Sequence, residues 1–277
     1  MDVSKIEGVS GPFEWRDAPS ADFAVVGDPV AHSLSPKMHA AAYRALGLDL
    51  SYVALRVPIG EFDEAMAHLA SVGYQGVNVT VPLKEAAFRW ATKTRSTEQR
   101  IGAVNTLRFS DGAAINTDAL GLMDVLAKEG IDESVRALVL GAGGTARAVL
   151  VALDEAGFEV KCWNRTRENL ETVLRETRVE ADVSETPDPA GCGLVINATS
   201  ATMSGKTIDV PWMSAPPEGT VIEAYYGTGS TPFLQSAKEA GLKVLDGRRL
   251  LVAQGARSFA WWTGKEAPVR DMLSAVQ

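Results

Sequence analysis

Two hydrophobic patterns alternate along the chain from Phe23 onward: short continuous apolar runs, and segments in which apolar residues recur every three or four positions. The first pattern predicts buried strands, and the second predicts amphipathic helices. In order, the predicted elements of the first half are strand 23–27, helix 36–46, strand 52–57, helix 61–71, strand 77–81, helix 82–90 and the hairpin strands 104–109 and 113–116. Pro82 is expected at the first position of its helix, where a missing N–H costs nothing.

The second half shows a more regular alternation of the same two patterns. In order, its predicted elements are helix 119–128, strand 137–140, helix 145–156, strand 159–163, helix 167–176, strands 194–197 and 220–224, helix 232–240, strand 243–245 and a long closing helix over 248–262. Strands that alternate with helices favour a parallel sheet covered on both faces. The sequence therefore predicts an α/β protein.

The length suggests about two domains, because the chain has 277 residues and a domain has roughly 150. We expect residues 1–22 to form a loosely or partly docked lead-in, residues 23–118 with 247–277 to form one domain, and 119–246 the other. Residues 1–22 lack the apolar core of a signal peptide. A hydrophobic content of 46% argues against disorder, and no apolar run is long enough to span a bilayer.

The formal net charge of −8 argues against nucleic acid or an anionic membrane as the main partner. A small anionic substrate in a locally basic cleft stays compatible with it. Cys162 and Cys192 form no metal-binding spacing, and His32, His39 and His68 make a poor zinc set. These features predict a reduced, cytoplasmic protein without a bound metal.

A glycine loop directly follows the predicted strand 137–140 and opens a helix. Its residues are Gly141, Ala142, Gly143, Gly144, Thr145 and Ala146, which form a G-x-G-x-x-A motif. Glycines permit a tight turn and close approach to a pyrophosphate, which then lies against the amides of the helix N-terminus. The alternative is a glycine-rich turn that only packs, but the strand–loop–helix–strand context favours dinucleotide binding.

The end of the next strand indicates which dinucleotide binds. An NAD enzyme usually has an acidic residue there, about 20 residues beyond the loop. This chain instead has Asn164, Arg165, Thr166 and Arg167. Two guanidinium groups and a hydroxyl can bind a 2′-phosphate, so we expect NADP. The alternative is that both arginines are solvated surface charges.

Four polar stretches of the first half follow or border predicted strands: 32–36, 78–84, 102–106 and 116–118. Open α/β sheets bind ligands at the carboxyl ends of their strands. The stretches combine hydroxyls, amides, one amine and one carboxylate, which suits a small polyhydroxylated ligand with an acid group. Taken singly, many of these residues could instead be helix caps, turn formers or solvated charges.

Together these motifs resemble the shikimate dehydrogenase family. The segments GDPVAHSLSPKMH, NVTVPLK, GAVNT, NTD, GAGGTA, NRT, NATS and QGARSFAWWTG occur in the family's order over most of the chain. The resemblance implies an N-terminal α/β substrate domain, a Rossmann-like doubly wound NADP domain and a cleft between them. The chain departs from the family pattern at Ala40, Ala119, Thr202 and the pair Gly227 and Thr228.

Five positions of the first domain match substrate-binding residues of that family. Ser33 and Ser35 resemble the hydroxyl pair that holds the substrate carboxylate. Thr80, Asn105 and Gln254 match positions that bind the ring hydroxyls. All of these side chains can form hydrogen bonds with an oxygen-rich ring.

Lys84 and Asp118 match the family's catalytic pair. The resemblance also implies that Thr199, Tyr226 and Gly247 join the glycine loop and Asn164–Arg167 in binding NADP. The implied activity is the reversible NADP-dependent reduction of 3-dehydroshikimate to shikimate in aromatic amino-acid biosynthesis. A paralogue acting on quinate or aminoshikimate, and a non-catalytic protein sensing NADP or shikimate, are the alternatives. The family implies a monomer or a homodimer.

Overall fold

A computed structural model describes residues 12–202, 205–227 and 230–277. Residues 1–11 of the expected lead-in, and Thr228, lie outside this range. The chain divides into two compact units: the first ends at Thr117 and takes in Leu251–Gln277, and the second is Asp118–Leu250. The divisions fall one residue before the first predicted boundary and four residues after the second. What each unit binds stays a prediction at this point.

The first unit is built on a mixed sheet. Its strands and helices are β1 (Phe13–Glu14), β2 (Phe23–Gly27), α1 (Ser35–Ala45), β3 (Tyr52–Arg56), α2 (Phe62–Ser71), β4 (Gly76–Val79), α3 (Lys84–Trp90), α4 (Ser96–Ile101), β5 (Thr106–Arg108) and β6 (Ala113–Ile115). Within the described residues the sheet has six strands in the order β1-β3-β2-β4-β5-β6. The first four run parallel, β5 is antiparallel to β4, and β6 is antiparallel to β5.

The core of this unit explains why the predicted strands form. The apolar residues of β2, β3 and β4 are buried, and those on one face of the sheet share a core with Met66 and Leu69 of α2. Residues 12–22 dock on the same core, because β1 pairs with β3 and Trp15 is 6% exposed. The last helix, α10 (Val269–Val276), packs on α1.

The second unit is built on a fully parallel sheet. Its elements are α5 (Thr117–Glu129), β7 (Ala137–Leu140), α6 (Gly144–Glu155), β8 (Val160–Trp163), α7 (Arg167–Thr177), β9 (Asp182–Val183), β10 (Leu194–Asn197), β11 (Thr220–Glu223), α8 (Pro232–Glu239), β12 (Lys243–Leu245) and α9 (Gly247–Thr263), with α5 and α9 each extending into the first unit. Within the described residues the six strands follow the order β12-β11-β10-β7-β8-β9. The predicted α/β class, with a Rossmann-like second sheet, is confirmed.

The structure differs from the predicted elements at several places. The helix after β4 begins at Lys84, so Pro82 precedes it and does not occupy its first position. The short helices α4 and α10 and the two-residue strands β1 and β9 were not predicted. Two or three turns of helix, or two residues of strand, are too short to establish a hydrophobic period.

No helix of the described residues is long and apolar enough to cross a membrane. In the same part of the chain, no group of three or more His, Cys, Asp or Glu side chains could hold a metal ion. Cys162 and Cys192 are free and buried.

Candidate active site

The segments that follow β2 and β4 lie side by side in the first unit. The amide of Thr80 donates to the carbonyl of Val26 at 2.9 Å, and the amide of Asp28 donates to the carbonyl of Val81 at 3.1 Å. A Cβ at Gly27 would lie 2.4 Å from the Thr80 methyl group, so glycine is needed for this approach. The predicted polar stretch 78–84 therefore lies beside the segment that follows β2, at the carboxyl ends of two neighbouring parallel strands.

Ser33 and Ser35 lie at the start of α1. Ser33 is half-buried, and its hydroxyl accepts a hydrogen bond from the Ser35 amide at 3.3 Å. Ser35 is buried and is the first residue of α1, which has no side-chain cap. The helix N-terminus and two hydroxyls thus occupy one place, which suits an anionic group.

Lys84 is the first residue of α3, and its side chain is half-buried. Its carbonyl accepts from the amide of Val104 at 3.1 Å, which fixes the start of α3 against the loop that leads to Asn105. Asp118 lies in the first turn of α5, directly after Thr117. The Thr117 amide donates to Oδ1 of Asn105 at 2.7 Å. Asn105 therefore orders the backbone just before Asp118.

The structure brings Asn105, Thr117 and Gln254 together. Nδ2 of Asn105 donates to Oε1 of Gln254 at 3.4 Å, and the Thr117 hydroxyl lies 3.4 Å from the same oxygen. Nε2 of Gln254 donates to the carbonyl of Leu251 at 2.8 Å. Two predicted substrate-binding amides, 149 positions apart in the sequence, are thus hydrogen-bonded to each other.

Behind this pair lies a buried group that we call the Asn78 cluster, which consists of Tyr52, Asn78, Thr106 and Ser258. Nδ2 of Asn78 lies 3.0 Å from the Thr106 hydroxyl and 2.9 Å from the Ser258 hydroxyl, and Oδ1 of Asn78 accepts from the Tyr52 hydroxyl at 2.8 Å. Nδ2 of Asn78 also lies 3.2 Å from the carbonyl of Asn105.

Sequence reasoning placed Asn78 in a polar stretch but gave it no role, and it did not single out Tyr52 or Ser258. Only the motif NVTVPLK carried a signal for Asn78. Ser258 lies 180 positions away on a helix, where a serine gives no pattern.

A buried carboxylate fixes the residues that follow β6. Glu98 is 1% exposed, accepts from the amide of Asn116 at 3.1 Å and lies 3.1 Å from the Arg95 guanidinium. Nδ2 of Asn116 donates to the carbonyl of Ala103 at 3.0 Å. These contacts hold together the stretches 102–106 and 116–118.

In the second unit, the strand register aligns the ends of four parallel strands. Trp163, Leu140, Asn197 and Glu223 form one row across β8, β7, β10 and β11. The next residue after Leu140 is Gly141. The predicted dinucleotide loop therefore begins where the carboxyl ends of the strands meet, as a ligand site of an open α/β sheet does.

The glycine loop fits a pyrophosphate. Gly141 has φ +123°, which L side chains rarely adopt, and a Cβ there would lie 3.1 Å from the carbonyl carbon of Ala198. A Cβ at Gly143 would have no neighbour within 4 Å, so the space before α6 is open. Gly143 is the N-cap of α6 and provides no side chain to satisfy the first amides. Those amides are available to an anion.

The two arginines beyond β8 have different surroundings. Arg167 forms ion pairs with Glu171 (Nε to Oε1, 2.8 Å) and with Glu185. Hydrogen bonding to Glu171, followed by the charge of Glu185, raises the pKa of Arg167. Arg165 is exposed and, within the described part of the chain, makes no hydrogen bond or ion pair. Arg165 is therefore the better placed of the two to bind a 2′-phosphate.

Asn164 and Thr166 flank Arg165 in the same turn. Nδ2 of Asn164 donates to the carbonyl of Thr166 at 2.8 Å, which closes the turn before α7. Thr166 is exposed and is the N-cap of α7, although its hydroxyl makes no capping bond. The turn thus presents a guanidinium and a hydroxyl at a helix N-terminus, and the described residues here fit NADP.

The remaining predicted cofactor residues lie on loops after β10 and β11. Asn197 Oδ1 accepts from both the amide (3.1 Å) and the hydroxyl (2.8 Å) of Thr199. Tyr226 is half-buried and stacks on Tyr225, with ring centroids 6.2 Å apart. A Cβ at Gly247 would lie 2.4 Å from the carbonyl oxygen of Tyr225, so this glycine lets the start of α9 approach the backbone of Tyr225.

Known proteins match this chain over most of its length. Residues 25–107 match the shikimate dehydrogenase substrate binding domain, and residues 247–277 match the shikimate 5′-dehydrogenase C-terminal domain. A protein of Thermus thermophilus named shikimate dehydrogenase (NADP(+)) is 42% identical over 245 residues, which are 87% of this chain and 92% of that protein. A protein of the same name from Natronomonas pharaonis is 36% identical over 268 residues, covering 92% and 98%.

Solved structures agree with the sequence comparisons. Shikimate 5-dehydrogenase from Thermus thermophilus, crystallised in complex with NADP(H) and shikimate, superposes with a TM-score of 0.84 and 39% identity. The match covers 91% of this chain and 97% of that one.

Proposed function

The chain belongs to the shikimate dehydrogenase family, and from that premise we propose that it is an NADP-dependent oxidoreductase that reversibly reduces 3-dehydroshikimate to shikimate. The observation that carries the proposal is the hydrogen-bonded pair Asn105 and Gln254. Two amides with fixed orientation, backed by a buried polar cluster, are suited to recognise ring hydroxyls. The product belongs to the biosynthesis of aromatic amino acids.

The substrate carboxylate is assigned to Ser33 and Ser35. Their hydroxyls lie at the N-terminus of α1, whose backbone amides and dipole favour a negative group. Thr80, Asn105 and Gln254 are assigned to the ring hydroxyls. Thr80 is half-buried next to the Gly27 approach, and its position is fixed by its own backbone bond to Val26.

Lys84 and Asp118 are assigned to catalysis. Hydride exchange with the ring carbon is the chemistry that bound NADP(H) supplies. As the carbonyl is reduced, negative charge develops on its oxygen, and the amine of Lys84 donates a hydrogen bond to it. The carboxylate of Asp118 orients the lysine and the substrate hydroxyl. Lys84, Asp118 and water share the transfer of the proton that this oxygen gains.

The second unit is proposed to hold the dinucleotide. The pyrophosphate is assigned to the loop Gly141–Ala146 at the start of α6, and the 2′-phosphate to Arg165 with Thr166. Arg167 is a weaker candidate because Glu171 and Glu185 already pair with it. Thr199, Tyr226 and Gly247, the last of which has a packing role beside Tyr225, are assigned to the nicotinamide half.

We also propose that the protein is cytoplasmic and that it is a monomer or a homodimer. Neither nucleic acid nor a membrane is expected as its partner. Two free, buried thiols support a reducing compartment.

The test is an absorbance assay of reduced nicotinamide with shikimate and NADP⁺, repeated with NAD⁺, quinate and aminoshikimate. We expect the highest kcat/KM with shikimate and NADP⁺. Lys84→Met should lower kcat about 100-fold or more while the Kd for NADPH stays unchanged, because the lost hydrogen bond stabilises the transition state. Lys265→Ala, on an exposed lysine, is the matched control and should keep full activity.

The alternatives predict other results. A higher kcat/KM with quinate or aminoshikimate would reassign the substrate. Binding of both shikimate and NADP⁺ without any absorbance change would identify a sensor and contradict the enzyme. Near-normal turnover by Lys84→Met would contradict the role of Lys84.

A further inference from the structure

Glu223 is a fully buried carboxylate that the proposed reaction does not use. It is the last residue of β11 and is 0% exposed. Its hydrogen-bond partners within the described residues are the Asn197 amide and the hydroxyls of Thr202 and Thr231, none of which is charged. A buried carboxyl with no cationic partner among the described residues is costly to the fold, so its presence calls for a role.

The two carboxylate oxygens join three segments of the second unit. Oε1 accepts from Nδ2 of Asn197 at 3.1 Å and from the Thr202 hydroxyl at 2.5 Å. Oε2 accepts from the hydroxyl of Thr231, which also caps α8 by accepting from the amide of Leu234 at 3.2 Å. The end of β10, the loop after it and the start of α8 therefore depend on one side chain.

On one side, the hydrogen bonds of Glu223 lead through Asn197 and Thr199 to the glycine loop. Asn197 donates to Glu223 with its nitrogen, and its oxygen accepts both bonds from Thr199. The Thr199 methyl group lies 3.2 Å from where a Cβ on Gly141 would be. The orientation of Asn197, and with it Thr199, is thus set by Glu223.

On the other side, Glu223 lies just before the residues that carry Tyr225 and Tyr226. Tyr225 and Tyr226 follow Glu223 directly, and Nη2 of Arg248 donates to the carbonyl of Gly227 at 2.6 Å. Thr231 lies where the chain enters α8. Glu223 thus anchors the end of β11, directly before Tyr225 and Tyr226, and through Thr231 the start of α8.

We propose that Glu223 is a positioning residue that orients Thr199 and Tyr226 for binding of the nicotinamide dinucleotide. The inference rests on the proposed function, because it concerns the site assigned there to NADP. Because Glu223 is fully buried and bonded to Asn197, Thr202 and Thr231, it acts through these neighbours.

Only a carboxylate can accept all three of these bonds at once. An ionised carboxylate has acceptor sites on both oxygens, whereas a glutamine has one oxygen and a donating nitrogen. Burial raises the pKa of the Glu223 carboxyl, and the bonds from Thr202, Thr231 and Asn197 oppose that rise. Glu223→Gln keeps the size of the side chain but forces Thr231 or the pair Asn197 and Thr202 to reorient.

The experiment measures the Kd for NADPH by fluorescence titration, which needs no turnover, together with KM for shikimate. Glu223→Gln should raise the Kd for NADPH about 5-fold or more, the effect of losing about one hydrogen bond, and leave KM for shikimate within about 2-fold. Thr202→Val should raise the Kd about 3-fold, because it removes one donor to Oε1 and keeps the side-chain shape.

Glu129→Gln is the matched control. Glu129 lies in the same unit, has a side chain 12% exposed and pairs with Lys243 at 2.7 Å and Arg249 at 3.0 Å. It should lower the melting temperature and leave the Kd for NADPH unchanged.

An unchanged Kd in both Glu223→Gln and Thr202→Val would overturn the inference, as would a rise of equal size in Glu129→Gln. If Glu223→Gln does not fold, Thr202→Val decides. A wild-type chain that binds NADPH but does not oxidise shikimate would contradict the proposed function, and the Kd series would still decide the role of Glu223.

Discussion

Two buried polar clusters, one in each unit, differ in charge. The Asn78 cluster of the first unit consists of amide and hydroxyl groups and carries no formal charge. The corresponding group of the second unit is centred on the Glu223 carboxyl. A neutral cluster is stabilised by having every partner present, whereas a buried carboxyl adds a dependence on protonation.

A histidine gives the first unit a pH dependence of its own. His39 stacks on Tyr52 of the Asn78 cluster, with ring centroids 4.3 Å apart and an interplanar angle of 7°. Neither ring nitrogen has a partner among the described residues, and burial lowers the pKa of His39 to about 3. Burial raises the pKa of Glu223 and lowers that of His39, so a falling pH works against the first unit, whereas a pH rising above 4.5 works against the second.

The largest effect is expected from Asn78→Ala. This change leaves the Tyr52 and Ser258 groups without their buried partner, and we expect a loss of about 3 kcal/mol or more in the free energy of unfolding. KM for shikimate should rise because Asn105 loses support, and the Kd for NADPH should not. Urea unfolding and the two titrations measure this, with Asn169→Ala, on an exposed residue of α7, as the control. A loss of unfolding free energy in Asn78→Ala no larger than that in Asn169→Ala would show that the Asn78 cluster does not stabilise the fold.

The next effect concerns acid. Because the folded-state pKa of His39 lies below its ordinary 6.5, its contribution is present above pH 6.5 and is lost as pH falls towards 3. Between pH 7 and pH 4 this amounts to about 3 kcal/mol. His39→Phe should therefore lose that much less stability over the same range, measured by urea unfolding. Asn169→Ala, on an exposed residue of α7, should follow the wild type, and parallel pH curves for all three proteins would refute the assignment.

The smallest effect has the opposite sign. The folded-state pKa of Glu223 is raised above its ordinary 4.5, so its contribution is present below pH 4.5 and is lost as pH rises through the raised value. The melting temperature of Glu223→Gln, relative to wild type, should therefore increase from pH 4.5 upward. Glu129, whose pKa is lowered by its hydrogen bond to Lys243, gives the contrary slope in Glu129→Gln. A melting temperature of Glu223→Gln that falls relative to wild type as the pH rises would contradict the placement of Glu223.

Much of the fold could be predicted because its signals are local. The strands Ala137–Leu140, Leu194–Asn197 and Lys243–Leu245 were predicted with the bounds that the structure shows, since each is a short apolar run. The start of α3 was placed two residues too early, because the rule for proline at the first helical position ignored the turn at 80–83, which the bond from the Leu83 amide to the Thr80 carbonyl closes. The helix α4 escaped notice since its buried Glu98 interrupts any apolar stripe.

Residues of the candidate site could be predicted from the sequence only where they belong to a motif. The juxtaposition of Asn105 and Gln254 follows from matching a family, and no pattern within the chain indicates it. Arg167 pairs with Glu171, four positions away on α7, and with Glu185, 18 positions away. The first pair is within reach of a helix pattern that the sequence analysis did not use, and the second is not. The role of Ser258 depends on contacts across 180 positions, which no local rule reaches.

The order of synthesis gives the two units different histories. Residues 118–250 form a continuous unit and are complete when the ribosome has made them. Asn78 and Thr106 are made earlier, yet the hydroxyl they bond to, that of Ser258, emerges only afterwards. Because domains generally fold as units during translation, the segment made first is the one that must wait. The unit of residues 118–250 can therefore fold before the unit that begins the chain, which needs residues 251–277.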